Sequence, residues 1–271
     1  MRLLFLGDIV GRSGRDLICQ RLPDLRRSLG LDFVVANGEN AAGGFGITRK
    51  ICEQLFAAGV DVVTGGNHSW DQREVLAYIN QEPRLLRPQN YPTGTPGRGS
   101  GLFEVRGRKV LVLNVMAQLF MESLGDPFSC VEGLLAKHRL GVTADVILLD
   151  FHGEATSEKM AMGHFVDGRA SLCIGTHTHV PTADAMILPG GTGYMSDAGM
   201  CGDYDSVIGM EKTVALERFV KKLRGERLTP AQGPASLSGL YLETDAATGL
   251  AKQVEPVRLG GRLSESCPKP S

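Results

Sequence analysis

Five short apolar runs in this chain each stop at a cluster of Asp, Glu, Asn or His, usually with a glycine alongside. Arg2 to Leu6 leads into Gly7-Asp8, Asp32 to Ala36 into Asn37-Gly38-Glu39-Asn40, and Asp61 to Thr64 into Gly65-Gly66-Asn67-His68. Val146 to Leu149 leads into Asp150-Phe151-His152-Gly153, and Ser171 to Ile174 into Gly175-Thr176-His177-Thr178-His179. Continuous apolar runs of this length read as strands covered on both faces. The longer amphipathic stretches between the first runs give β-α-β units and a parallel sheet. Such sheets bind ligands at the carboxyl ends of their strands, where glycine lets the backbone come close.

The remaining elements fit the same plan. Arg12 to Leu29 reads as a helix that Pro23 should kink or split. Thr48 caps a helix that runs to Ala58 and stops at Gly59. Asp71 is the expected N-cap of a helix to about Asn80, and Arg87 to Gly101, rich in Pro and Gly, is loop. Leu102 to Val105 and Lys109 to Val115 flank Arg106-Gly107-Arg108 as a hairpin. Helices are expected from Ser129 to about Leu140, Ala155 to Phe165 and Met210 to Leu223. Ala185 to Leu188, Gly193 to Met195, Leu237 to Glu243 and Gln253 to Leu259 make a second set of strands. The polar run Arg224 to Pro234 is a connection. Residues 1–260 are expected to form one domain, and 261–271 a disordered tail. Residues 196–205 read as a loop that covers a site or meets a partner subunit, or as an ordinary surface loop.

Composition narrows the function. A chain of 271 residues can bury a full core. A net charge of -1 with 22% charged residues lacks the basic face of a nucleic-acid binder and leaves room for a small anionic substrate. No stretch is apolar enough to span a membrane, and the N-terminus turns acidic at Asp8, so a cytoplasmic protein is expected. The six cysteines form no C-x-x-C pair and read as reduced thiols, most of them packing residues. A homo-oligomer is left open.

A lone Asp after a strand ordinarily caps a helix, and a lone His is ordinarily a satisfied one. Their coincidence at five sheet ends points instead to a metal site of oxygen and imidazole donors without thiolate. The ligand count exceeds what one ion takes, so two are expected. Gly7, Gly11 and Gly14 miss the G-x-G-x-x-G spacing, and Asp8 would repel a pyrophosphate, which argues against a dinucleotide cofactor.

The order of motifs resembles the calcineurin-like metallophosphoesterase superfamily over residues 1 to 210. Its pattern is D-x-H, G-D-x-x-D, G-N-H-D/E, a lone His and G-H-x-H. Val10 stands at the family's first His, Glu39 at its bridging Asp with Asn40 following, Ser69 at an acidic position, and Thr176 is inserted in the last motif. These departures resemble a bacterial subgroup, the YmdB-type 2',3'-cyclic-nucleotide phosphodiesterases. The resemblance implies an α/β fold, a four-layer α/β/β/α sandwich of two packed mixed sheets. It implies that Asp8, Glu39, Asn40 and His179 hold one ion, and Glu39, Asn67, His152 and His177 a second, with Asn40 filling the place left by Val10.

Fe or Mn is the expected metal, with attack by a metal-bridged hydroxide and His68 as general acid. Two divalent ions less two carboxylates and the hydroxide leave about one positive charge, which suits a monoanionic diester. A 2',3'-cyclic nucleotide is the implied substrate. A nucleotidase-like phosphomonoesterase and a regulatory or scaffold protein with a structural metal site are the alternatives. Trp70 is read as core packing before base stacking, Asn90 and Tyr91 as possible pocket lining, Arg49 and Lys50 as the start of a helix face, His138 as exposed, and His164 as a cation at a helix end.

Overall fold

The computed structural model describes residues 1–222 and 226–268. Its strands are β1 (Arg2–Leu6), β2 (Asp8–Ile9), β3 (Phe33–Asn37), β4 (Val62–Thr64), β5 (Ser100–Val105), β6 (Arg108–Met116), β7 (Val146–His152), β8 (Leu172–Thr176), β9 (Met186–Ile187), β10 (Gly193–Met195), β11 (Met200–Asp203), β12 (Ala235–Thr244) and β13 (Ala251–Leu259). Its helices are α1 (Gly11–Ser28), α2 (Arg49–Ala58), α3 (Val75–Tyr78), α4 (Pro127–Leu135), α5 (Thr156–Phe165) and α6 (Lys212–Lys221).

The strands form two mixed sheets. One has the order β2-β11-β12-β1-β3-β4 with β13 beside β12, and the other β5-β6-β7-β8-β10-β9. β1, β3 and β4 run parallel, as do β6, β7 and β8, so their carboxyl ends are presented together.

The two-residue period of a strand sorts its side chains between layers. Leu3 and Phe5 of β1, with Val146 and Leu148 of β7, belong to a core shared by the two sheets. Their neighbours Leu4 and Leu6 instead join Ile18 and Leu22 of α1. Ile147 and Leu149 join Val131 of α4 and Met162 of α5. Both faces of each sheet are therefore apolar, and three cores separate four layers: helix, sheet, sheet, helix. That is the calcineurin-like sandwich.

Several expectations change. α1 runs on to Ser28 across Pro23 and is not split. Thr48 caps α2, its Oγ1 accepting from the Ile51 N–H at 3.3 Å, and Gly59 ends it at φ 106. Asp71 caps nothing. The helix after it is a single turn, Val75–Tyr78, because residues 68–74 form successive turns around the site. The segment 196–205 is neither lid nor surface loop at its centre: Met200–Asp203 is a buried strand, parallel to β2 and antiparallel to β12.

α6 starts at Lys212, two residues after the expected Met210, and Glu211 caps it with bonds from Thr213 and Val214. Its expected end at Leu223 and the start of the polar run at Arg224 lie outside the described residues. Of the tail, residues 261–268 turn back so that Ser266 bridges Arg258, while 269–271 lie outside the described residues. All six cysteines are free thiols, with Cys52, Cys173 and Cys201 buried. Among the described residues no helix is long and apolar enough to cross a membrane.

Candidate metal centre

The carboxyl ends of the two sheets meet over a cavity of about 320 Å³ lined by Glu39, Asn40, His68, His177 and His179 among others. The first sheet brings the oxygen donors. Asp8 in β2 is fully buried and its Oδ2 accepts from the His177 N–H at 3.1 Å. Its Oδ1 is buried without a hydrogen-bond partner and faces His179 Nε2 at 3.8 Å. Glu39, on the turn after β3, accepts from the His68 N–H at 3.0 Å through Oε2, while Oε1 lies 3.2 Å from His152 Nε2. Asn40 donates through Nδ2 to the Gly44 carbonyl at 3.0 Å, and its Oδ1 is buried and unpartnered.

The second sheet brings the imidazoles. His152 Nε2 has Asn67 Oδ1 at 3.0 Å and His177 Nδ1 at 3.2 Å besides Glu39. Each ring is held from behind. The Thr176 hydroxyl donates to Asp150 Oδ1 at 2.7 Å, so it accepts from His152 Nδ1 at 2.9 Å, and the His152 Nε2 lone pair points into the cluster. Asp150 is itself fixed by Thr64 at 2.5 Å and by Asn37 at 3.1 Å. Glu154 stands 3.4 Å from His177 Nε2, turning Nδ1 inward. His179 Nδ1 donates to the Ile208 carbonyl at 2.8 Å, leaving Nε2 toward Asp8.

Two ring nitrogens, an amide oxygen and a carboxylate converge on one point, which demands a positive charge there. Burial would discharge His152, but the carboxylates of Glu39 and Asp8 outweigh it and raise the imidazole to about 9. His177 goes the other way, to about 3, first through burial and then through the His152 cation. Burial also pushes Asp8 up to about 7 against the pull of His179 and His152. Burial works upward on Glu39 too, but His152 and His68 hold it at about 2. The site thus attracts a proton where a cation would sit, so a metal ion would compete with protonation for it.

The donor atoms of Glu39, His152 and His177 all lie within 4.8 Å of one another, as do those of Asp8, Glu39 and His179. Glu39 belongs to both groups. Asp8 Oδ1 is unpartnered and Asn40 Oδ1 is a further free acceptor, so the residues present fit divalent ions with oxygen and nitrogen preference. Gly66 leaves the necessary room, since a Cβ there would fall 2.2 Å from Glu39 Oε2 and 2.3 Å from His152 Nε2.

The loop carrying the last two histidines is strained and pinned. His177 and His179 have φ of 99° and 67°, values non-glycine residues rarely adopt. Between them the Thr178 N–H donates to Asp197 Oδ2 at 3.0 Å, and the same oxygen takes Lys159 Nζ at 2.8 Å. Both side chains of that ion pair are only 2% exposed. Lys159→Met strands a buried carboxylate and should cost about 3–5 kcal/mol, read as a lower urea midpoint at unchanged slope. A loss below about 1 kcal/mol, the range of an exposed ion pair, would show that the pair does not hold the loop.

The sequence named seven candidate donors and His68, and the structure brings all eight to one end of the sandwich. Its motifs did not single out Asp150, Thr176, Thr64, Asn37 or Glu154 as supports for the histidines. Trp70 packs against the helix-side core and edge-on to Tyr91, 5.7 Å between centroids. Asn90 is a strut, bonded to Met116 and Gly125. Arg49 opens α2 and pairs with Glu53. His164 lies in the last turn of α5, whereas His138 is half-buried in a separate groove.

A sequence model described as YmdB-like protein matches residues 4–257. A 2',3'-cyclic-nucleotide 2'-phosphodiesterase of Bacillus subtilis is 43% identical over 257 residues, which cover 95% of this chain and 96% of that one. A crystal structure of a hypothetical protein from Thermus thermophilus superposes with a TM-score of 0.90 at 44% identity, covering 96% of this chain and all of the other. A structure described as a novel phosphatase from Mycoplasma pneumoniae also gives 0.90, at 34% identity over 96% of this chain and 93% of that one. The likeness to 5'-nucleotidases, at 14% and 12% identity, is one of fold alone.

Proposed function

The chain belongs to the family of YmdB-like proteins, and from that membership we propose that it hydrolyses phosphodiesters at a two-metal centre, with a 2',3'-cyclic nucleotide as substrate. It is a phosphoric ester hydrolase. The observation that carries the two-metal reading is that Glu39 belongs to both donor groups. Asp8, Glu39, Asn40 and His179 would hold one ion, and Glu39, Asn67, His152 and His177 the other. Asn40 is supported by its unpartnered Oδ1. When bound, Fe or Mn ions supply the Lewis acidity that activates water and neutralises charge on the phosphoryl oxygens.

The chain's own groups do the rest. Thr176, Glu154 and the Ile208 carbonyl fix the three imidazoles before the substrate arrives, so no reorganisation is needed in the transition state. His68 donates a proton to the leaving oxygen. Asp71 Oδ2 holds its Nδ1 at 2.8 Å, which leaves Nε2 free for that donation. The carboxylate of Glu154 on the cavity wall adds negative charge, which disfavours a dianionic monoester relative to a monoanionic diester.

Elemental analysis of the purified protein alongside a panel of cyclic diesters and monoesters tests this reading. About two Fe or Mn per chain and a preference for diesters on the order of tenfold are expected, the latter equivalent to roughly 1.4 kcal/mol. Equal turnover of monoesters removes the diester preference, and full activity after exhaustive chelation overturns the metal mechanism.

A further inference from the structure

The cavity over the donor cluster is lined by residues of two kinds. Its lining joins Glu39, Asn40, His177 and His179 with the apolar side chains of Phe45, Ile208, Met210 and Leu228. Ile208 is 54% exposed although apolar. It also holds φ at +48°, a strained conformation for a β-branched residue. The turn that imposes this strain is closed by reciprocal Val207 and Met210 backbone bonds of 3.0 Å, and the Ile208 carbonyl accepts from His179. The same turn thus fixes a donor of the cluster and holds an apolar side chain at its mouth. Phe45 meets the His68 ring edge-on at 5.1 Å between centroids, so an aromatic face stands beside the group that meets the leaving oxygen. The guanidinium of the exposed Arg227 lies over the Phe45 ring, 5.7 Å from its centroid.

We propose that Phe45 and Ile208, backed by Met210 and Leu228, form a nucleobase subsite that determines specificity for nucleoside over base-free cyclic phosphates. The proposal rests on the phosphodiesterase reading above and adds the part of the substrate that does not react. A volume of about 320 Å³ is in the range of small-ligand pockets. Apolar and aromatic side chains recognise a base by its flat face, which all bases share. Purine and pyrimidine 2',3'-cyclic nucleotides should therefore turn over within about tenfold of one another.

The test compares 2',3'-cyclic AMP with ribose 2',3'-cyclic phosphate on the metal-loaded full chain. Wild type should prefer the nucleotide in kcat/KM. In Phe45→Ala the ratio of the two values should fall about tenfold or more, mainly through the nucleotide KM, and Phe45→Tyr should restore it. Ile208→Asn, which tolerates the left-handed backbone and so keeps the carbonyl on His179, should lower the ratio as well. A ratio near one in wild type, or one that neither Phe45→Ala nor Ile208→Asn changes, overturns the subsite and leaves the phosphodiesterase reading standing. A wild type that hydrolyses neither substrate overturns the reading on which the subsite rests.

Discussion

Glu39→Gln is expected to leave a folded protein that has lost hydrolysis by on the order of a thousandfold or more, together with part of its metal. Glu39 is 2% exposed, belongs to both donor groups, and has one oxygen toward His152 and the other on the His68 N–H. The amide keeps the volume but removes the negative charge, and its NH2 would point a donor at one of two places that need an acceptor. The fold should survive, because Glu39 belongs to none of the three apolar cores. Metal content, hydrolysis and the urea midpoint measured on one preparation decide the matter. Loss of hydrolysis with full metal content, an unchanged fold and an unchanged cellular phenotype would favour a regulatory or scaffold role with a structural metal.

His68→Ala is expected to cost roughly 100-fold on an ester with a poor leaving group, the size of a lost general acid. On an activated ester such as a p-nitrophenyl diester the cost should be much smaller, since that leaving group departs without a proton. The contrast separates acid catalysis from simple damage, which would slow both substrates alike. It matters here because the His68 backbone N–H bonds Glu39 and its ring touches Phe45, so the side chain is also part of the packing. Near-full activity on the poor leaving group would assign the proton to another donor.

The strand ends were legible because their signal is local. An uninterrupted apolar run followed by Gly and a polar donor needs no tertiary information, and β1, β3, β4, β7 and β8 all stand within three residues of where the runs place them. Met200–Asp203 was not legible. Its four residues mix apolar, glycine and acid, and it is a strand only because β2 and β12 supply partners on both sides. The turn around Asp71 failed for a related reason: an Asp before an amphipathic stretch has the local appearance of a cap, yet this one is spent on His68.

The clustering of the candidate donors was readable from residue type and place, but their supports were not. Thr176 stood out in the sequence only as an insertion in a motif. In the structure its hydroxyl joins His152 to Asp150, a contact between residues 24 and 26 positions apart that no spacing rule anticipates. Glu154 and Ile208 likewise act on histidines through folding that brings separate segments together.

The oxygen donors Asp8, Glu39, Asn40 and Asn67 ride on one sheet, and the nitrogen donors His152, His177 and His179 on the other. Neither sheet alone supplies both oxygen and nitrogen donors. The gap between acid and imidazole is therefore gauged by the thickness of the apolar filling beneath it, where Leu3, Phe5, Val35, Leu148 and Ile174 lie between the sheets. Packed interiors resist compression and transmit a change of even one methylene. The spacing between these carboxylates and imidazoles is thus set by the hydrocarbon packed between the sheets.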